Sequence, residues 1–246
     1  MKDNGIYNFD LITSISLVSM QNYTTLKKRR LNKVERSKII IENPLNDIII
    51  GLLLGDGHIQ KRAINGNSRF IYGQSSLRLH NLNYFKHVLE LFKPYLSEDF
   101  ILKEKFFKNK ITNIKYSSVN FATLSLPCFN DYKNLFYSSK NIKIVPSNIK
   151  NLLTPIGLAY WIMDDGSLQN KGLHLNTYGF NTEDILNLKK TLENMFGENS
   201  LKCSIHKHKS GERIYIWERS MELLRNNIYQ YMHKDMLYKI NSDKLY

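Results

Sequence analysis

One segment of this chain occurs twice. Residues 43–62 read NPLNDIIIGLLLGDGHIQKR and residues 152–171 read LLTPIGLAYWIMDDGSLQNK. Each is an apolar stretch of helical length that ends in Asp-Gly and continues through a short residue, an aliphatic one and Gln to a basic end. Superposing the copies puts Asp56 on Asp165, a separation of 165 − 56 = 109 residues. The sequence after each copy matches as well. Strand-like RFIYGQSSLRL and GLHLNTYGF lead to the amphipathic stretches YFKHVLELFKPYL and TEDILNLKKTLENMF. Further strand sequence follows (KYSSVNFATLSL and CSIHKHKSGERIYIWE), then helical PCFNDYKNLFYS and SMELLRNNIYQYM. A period near 100 residues is too long for a solenoid unit. It predicts a duplicated α+β half-domain with pseudo-two-fold symmetry. The expected division is a basic extension at 1–44, a first half at 45–150 and a second at 151–246.

Local signals support these elements. Thr154 followed by Pro155 is an N-cap with proline at the first helical position, and Gly57 and Gly166 stand where the two motif helices should stop. Both helices are apolar nearly all round, which predicts burial. Their small residues (Gly51, Gly55, Gly157 and Ala159) would let them approach closely. In the strands, alternation puts Ile214 and Ile216 on one face and Arg213, Tyr215 and Trp217 on the other, with Ser204, His206 and His208 opposite Cys203 and Ile205.

Charge narrows the partner. Thirty-five Lys and Arg against 22 Asp and Glu leave a net charge of +13, with 15 Tyr beside them, and an excess of that size favours a polyanion. The stretch LKKRRLNKVERSKI of the extension suits a phosphate-contacting arm as well as a solvated helix face. Cys128 and Cys203 form no CxxC, which argues against a zinc knuckle or disulfide framework and for two buried thiols in a reducing compartment. His206 and His208 lack a Cys or acidic partner at zinc spacing. No apolar run spans a bilayer, and the N-terminus does not read as a secretory signal. The abundance of Asn, Ile, Lys and Tyr fits A+T-rich coding, as in many organellar genomes.

If the halves pack through their motif helices, Asp56 and Asp165 meet at two helix C-termini. That placement is electrostatically poor, because partial negative charge and a second carboxylate surround each one. A bound cation removes the conflict. Hard oxygen ligands, completed by water and substrate phosphate, suit Mg²⁺, which serves phosphodiester hydrolysis. One Asp-Gly is a common turn dipeptide; two closing apolar helices in register are not so easily set aside.

At these residues the chain resembles the LAGLIDADG homing endonucleases. GLLLGDG (51–57) and LAYWIMDDG (158–166) resemble the two family motifs. LTPIGLAYWIMDDG, HLNTYGF, RIYIW and MLYKI resemble the intron-encoded mitochondrial branch. The resemblance runs from about residue 45 to the end. It implies an α+β fold of two αββαββα halves whose antiparallel sheets form a saddle over DNA. It also implies Mg²⁺, with Mn²⁺ as a substitute, held by Asp56 and Asp165 and by the backbone carbonyls of Gly55 and Asp164. Asp164 departs from the small residue usual at its position. Lys143 and Lys239, 239 − 143 = 96 residues apart, match the lysines beside each active centre. Gln74 and Asn176 match the residues that position water.

A strand row of Tyr72, Gln74, Ser76 and Arg78 is expected to face DNA in the first half, and Lys202, Ser204, His206, His208, Arg213 and Tyr215 in the second. Arg62, Arg69, Lys115 and Lys171 flank them. The function so implied is double-strand cleavage of a long asymmetric target with 3′ overhangs, by a monomer, in a mitochondrion or other organelle, in the service of intron mobility. A maturase that binds its intron RNA could use the same fold and basic surface, but two carboxylates facing a polyanion do nothing for binding alone. A DNA-binding regulator on this scaffold would be expected to have lost one Asp or both.

Overall fold

The computed structural model describes residues 31–108, 110 and 113–240. Most of the basic extension, residues 1–30, lies outside the described residues. Its end forms a short helix, α1 (Lys33–Ser37), closed by a capping box between Asn32 and Glu35.

The first half runs α2 (Leu45–Leu54), β1 (His58–Lys61), β2 (Ser68–Ser75), α3 (Leu79–Phe92), β3 (Glu104–Lys108), β4 (Lys115–Ala122) and α4 (Asn130–Phe136). A single turn, α5 (Ile149–Leu152), leads to the second half: α6 (Pro155–Asp165), β5 (Gly166–Gln169), β6 (Gly172–Asn176), α7 (Thr182–Glu193), β7 (Cys203–His208), β8 (Gly211–Ile216) and α8 (Met221–Ile228). Each half is therefore αββαββα. Both sheets are wholly antiparallel and share one order, β1-β2-β4-β3 and β5-β6-β8-β7. The fold is α+β. Among the described residues no helix is long and apolar enough to cross a membrane.

The seam between the halves is the contact of α2 with α6. Ile48–Leu54 and Ile156–Met163 are buried without interruption, so these helices present no solvent face. Their approach is set by glycine. A Cβ on Gly51 would lie 1.9 Å from the carbonyl oxygen of Gly157, and one on Gly157 would lie 2.9 Å from that of Asp47. Thr154 caps α6, its hydroxyl accepting from the amide of Gly157 at 3.3 Å, and Gly166 is the residue after its last turn. The first copy differs. Its helix stops at Leu54 with Gly55 as the C-cap, two residues before the expected stop, and the amide of Gly57 reaches back to the carbonyl of Leu52 at 2.7 Å. A Cβ on Gly57 would lie 2.6 Å from that same oxygen.

The αββαββα order requires strand β3, but no strand-like pattern marks its residues in the sequence. EKFFK shows no polar–apolar alternation, and all five residues are exposed. It exists because β4 offers it a ladder partner.

Candidate DNA-cleaving site

The ladders fix which residues of the halves correspond. His58 pairs with Ile71 and Ser167 with His174, each first residue lying two beyond its motif aspartate. Ile71 therefore corresponds to His174, Tyr72 to Leu175, Gly73 to Asn176 and Gln74 to Thr177. Asn176 is thus not the counterpart of Gln74. It pairs with Arg213 on the face turned away from the helices, whereas Thr177 is buried and its hydroxyl donates to the carbonyl of Glu212 at 2.8 Å.

The row expected on β2 is out of phase by one residue, and Tyr72 is the clearest correction. It is fully buried and packs on Phe85, Phe121 and Tyr84, because Phe70 and Tyr72 are the large apolar side chains the core claims. Ser76 lies in the same phase, its hydroxyl buried and unpartnered. The open face instead carries His58, Gln60, Arg69, Ile71, Gly73 and Ser75, joined across the ladder by Ser118 and Asn120. Gln60 fixes Arg69, accepting from Nε at 3.0 Å and Nη2 at 2.6 Å, and also accepts from Arg62 Nε at 3.4 Å. Arg78 is exposed at the start of α3. Lys115 is exposed at the start of β4, in the phase of buried Val119.

The second sheet follows the expected phase. Ser204, His206, His208, Arg213 and Tyr215 share its open face, with Lys202 just before β7. Lys171, in the turn from β5 to β6, pairs with Glu218 at 3.3 Å. The expected DNA-facing row leaves out two residues of this face, His174 and Trp217. His174 Nε2 lies 3.1 Å from His206 Nδ1 under the Tyr215 ring. Trp217 Nε1 donates to the Ser204 hydroxyl at 3.1 Å.

Between the sheets, the ends of α2 and α6 bring the aspartates together with both lysines. Lys143 Nζ donates to the carbonyls of Gly55 (2.9 Å) and Gly57 (3.0 Å). Lys239 Nζ donates to those of Met163 (2.5 Å) and Asp164 (2.8 Å). Each ammonium thus answers the partial negative charge of one helix end. Lys239 sits in a 3-10 segment, Lys234–Lys239, and is only 8% exposed.

Around Asp56 four hydrogen bonds close a ring. Its amide donates to Asp164 Oδ2 (3.1 Å), Tyr72 Oη donates to Asp164 Oδ1 (2.7 Å), and Gln74 Nε2 donates to both Tyr72 Oη (3.1 Å) and Asp56 Oδ2 (2.5 Å). Gln74 thereby spends both amide protons, and Asp164 uses both carboxylate oxygens. Sequence reading gave Asp164 only a backbone role. Beside the ring a cavity of about 630 Å³ opens, lined by Gln74, Arg78, Asp164, Ser167, Tyr238 and Lys239 among others.

The charges are held under tension. Desolvation, then the charge of Asp56, pushes the Asp165 carboxyl up to about 7. The Asp56 carboxyl is raised by desolvation, against the opposing pull of Gln74, Lys239 and Lys143. Desolvation also brings Lys143 down to about 8 and lowers Lys239. Carboxylates pushed toward neutrality and ammoniums pushed toward the amine are what burial does to both kinds of charge, and the repulsion of Asp165 by Asp56 adds the part that a bound cation would relieve.

The comparisons agree with this geometry. The chain is 29% identical over 236 residues to cytochrome b mRNA maturase bI2 of Saccharomyces cerevisiae, a match covering 92% of this chain and 56% of that longer protein. It is 30% identical over 201 residues to probable intron-encoded endonuclease 1 of Wickerhamomyces canadensis, covering 79% of this chain and 82% of the relative. The homing endonuclease I-WcaI, solved bound to its DNA recognition sequence, superposes with a TM-score of 0.77 at 26% identity, over 89% of this chain and 97% of that one. Residues 46–224 match the model of the LAGLIDADG DNA endonuclease family, and the chain belongs to that family.

Proposed function

We propose that this protein is a site-specific, Mg²⁺-dependent DNA endonuclease that cuts both strands of a long asymmetric target. The observation that carries the reading is the meeting of Asp56 and Asp165 at the seam, each beside a lysine, under two open sheet faces.

The donors fit a hard divalent cation. Among the described residues no three His, Cys, Asp or Glu side chains gather round one point, as an all-protein cage would require. Mg²⁺ usually binds through one or two carboxylates and completes its shell with water and phosphate. Asp56 and Asp165 would hold it, with the carbonyls of Gly55 and Asp164. A carbonyl has two lone pairs, so each can keep its lysine and still face an ion. When bound, Mg²⁺ supplies Lewis acidity toward the scissile phosphate and lowers the pKa of attacking water. Lys143 Nζ, brought down to about 8 by desolvation, is mainly the ammonium at neutral pH and can donate to the phosphate, and its amine fraction grows as pH rises toward 8. Gln74 fixes one oxygen of Asp56 and leaves the other free.

The two open faces present unlike side chains, Gln60, Arg69 and Asn120 against His206, Arg213 and Tyr215, so the preferred target is asymmetric. One site per strand at the seam makes the working unit a monomer. The product would carry 3′ overhangs, and the setting would be intron mobility in a mitochondrion or other organelle.

Selection of cleavage sites from a randomised duplex library in Mg²⁺ or Mn²⁺ tests this. One long asymmetric site cut by the wild type, and by neither Asp56→Asn nor Asp165→Asn, is the expected result. The match to a protein named an mRNA maturase over 92% of this chain favours a second reading, assistance to intron RNA folding. Tight Mg²⁺-independent binding to the parent intron RNA with no cut by any version would move the function there.

A further inference from the structure

The ring Asp164–Tyr72–Gln74–Asp56 exists in one half only. The residue matching Asp164 is Gly55, and a Cβ there would lie 2.6 Å from the Asp164 side chain, so the seam has room for one such carboxylate and not two. The residue matching Tyr72 is Leu175, which has no hydroxyl. The residue matching Gln74 is Thr177, whose hydroxyl is committed to Glu212. Asp165 can therefore have no such ring.

The ring also joins the halves. The Asp164 carboxylate holds the Asp56 amide and Tyr72 in the first half, while its carbonyl accepts from Lys239 of the second. Removing Asp164 takes away the acceptor for Tyr72, which orients Gln74, which in turn holds Asp56. None of these hydrogen bonds runs to Asp165, which feels the Asp164 side chain through its charge and not through a contact that orients it.

We propose that Asp164 and Tyr72 are positioning residues for Asp56 alone, so that the two strands of the target are cut by unequally organised centres. The proposal rests on the endonuclease reading and specifies how its site works. A fixed carboxylate enters the reaction without reorganising first, an advantage a free rotor lacks. The strand served by Asp56 is accordingly cut faster in the wild type.

The test is single-turnover nicking of a selected site with each strand labelled separately, in Mg²⁺, for the wild type, Tyr72→Phe, Asp164→Asn and Asp164→Ala. Asp164→Ala should slow one strand at least tenfold and the other less than threefold. Asp164→Asn, which keeps one acceptor oxygen, should fall between it and the wild type. DNA affinity should stay within twofold. Equal slowing of both strands at unchanged melting temperature would overturn the proposal.

A second readout needs no cleavage. Hydrogen exchange at the Asp56 amide in the metal-free protein should be at least tenfold faster in Asp164→Ala. Unchanged exchange overturns the ring. A wild type that cuts neither strand while this exchange still responds overturns the endonuclease reading and leaves the ring standing.

Discussion

In the first half the motif aspartate has a hydrogen-bonded ring around it; in the second, the positions matching Tyr72 and Gln74 are Leu175, which has no hydroxyl, and Thr177, whose hydroxyl donates to Glu212. The chain path is the same in both, down to strand order and ladder direction. The difference shows which constraints a duplicated fold must keep. Backbone and core are shared, because each half must bury one face of a sheet against its helices. The side chains beneath the two carboxylates are not, because only one copy of Asp164 fits in the seam. Where both carboxylates do agree is in being raised by desolvation, and that agreement can be broken by mutation. Asp56→Asn and Asp165→Asn should each abolish double-strand cleavage, a loss of roughly 10³-fold or more. Each should also raise the melting temperature of the metal-free protein. Asp165 binds its proton more tightly folded than unfolded, so the charged wild type loses stability as pH rises from the unfolded value toward 7. The Asn variant escapes that loss, and melting curves at pH 5 and 8 should diverge between the two.

The glycines at the seam separate the halves in a second way. A methyl group on Gly51 would overlap the Gly157 backbone at 1.9 Å, while one on Gly157 would meet the Asp47 carbonyl at 2.9 Å. Only helix displacement relieves the first contact. Gly51→Ala should therefore cost about 3 kcal/mol, the upper part of the overpacking range. Gly157→Ala should cost about 1 kcal/mol, because part of its strain is offset by alanine's helix propensity. Urea unfolding of both variants measures the pair. Equal costs would mean that the helices move apart as freely from either side.

Much of this was legible in the sequence because it repeats. Two Asp-Gly ends in register located the seam, Thr154-Pro155 marked the start of α6, and the resemblance supplied Lys143 and Lys239, which the structure sets on the carbonyls of the two motif ends. What escaped was set by partners distant in sequence. Tyr72 looks like a groove-facing aromatic in the alternation of β2, and only Phe85 and Phe121 packing on it decide otherwise. A strand row read one residue out of phase inverts the whole face. Asn176 was grouped with Gln74 by local likeness, but the ladder makes Thr177 the positional counterpart of Gln74, and its hydroxyl is committed to Glu212. Strand β3 has no pattern of its own to read, since both its faces are exposed.

A smaller effect sharpens the contrast further, because acid sensitivity is also one-sided. Helix α3 carries His80 and His87, whereas α7 carries no histidine. His87 lies across the seam, its Nε2 2.7 Å from the Tyr160 hydroxyl of α6, and desolvation followed by the nearby His233 lowers it to about 4. The folded state thus prefers the neutral ring. Its contribution is whole above the unfolded pKa near 6.5 and is lost as pH falls toward 4. Between pH 7 and 5 the loss should be about 2 kcal/mol. Asp165 works in the opposite direction over the same interval, since protonation favours the folded state there. The difference between wild type and His87→Gln is therefore the quantity to measure. Because the two effects oppose each other in the wild type, the urea midpoint should change less between pH 7 and pH 5 there than in His87→Gln, which keeps the Asp165 gain and should be about 2 kcal/mol more stable relative to wild type at pH 5 than at pH 7. If the two proteins shift in parallel, His87 is already free to charge in the folded state, and the α3–α6 contact across the seam is looser than its 2.7 Å hydrogen bond implies.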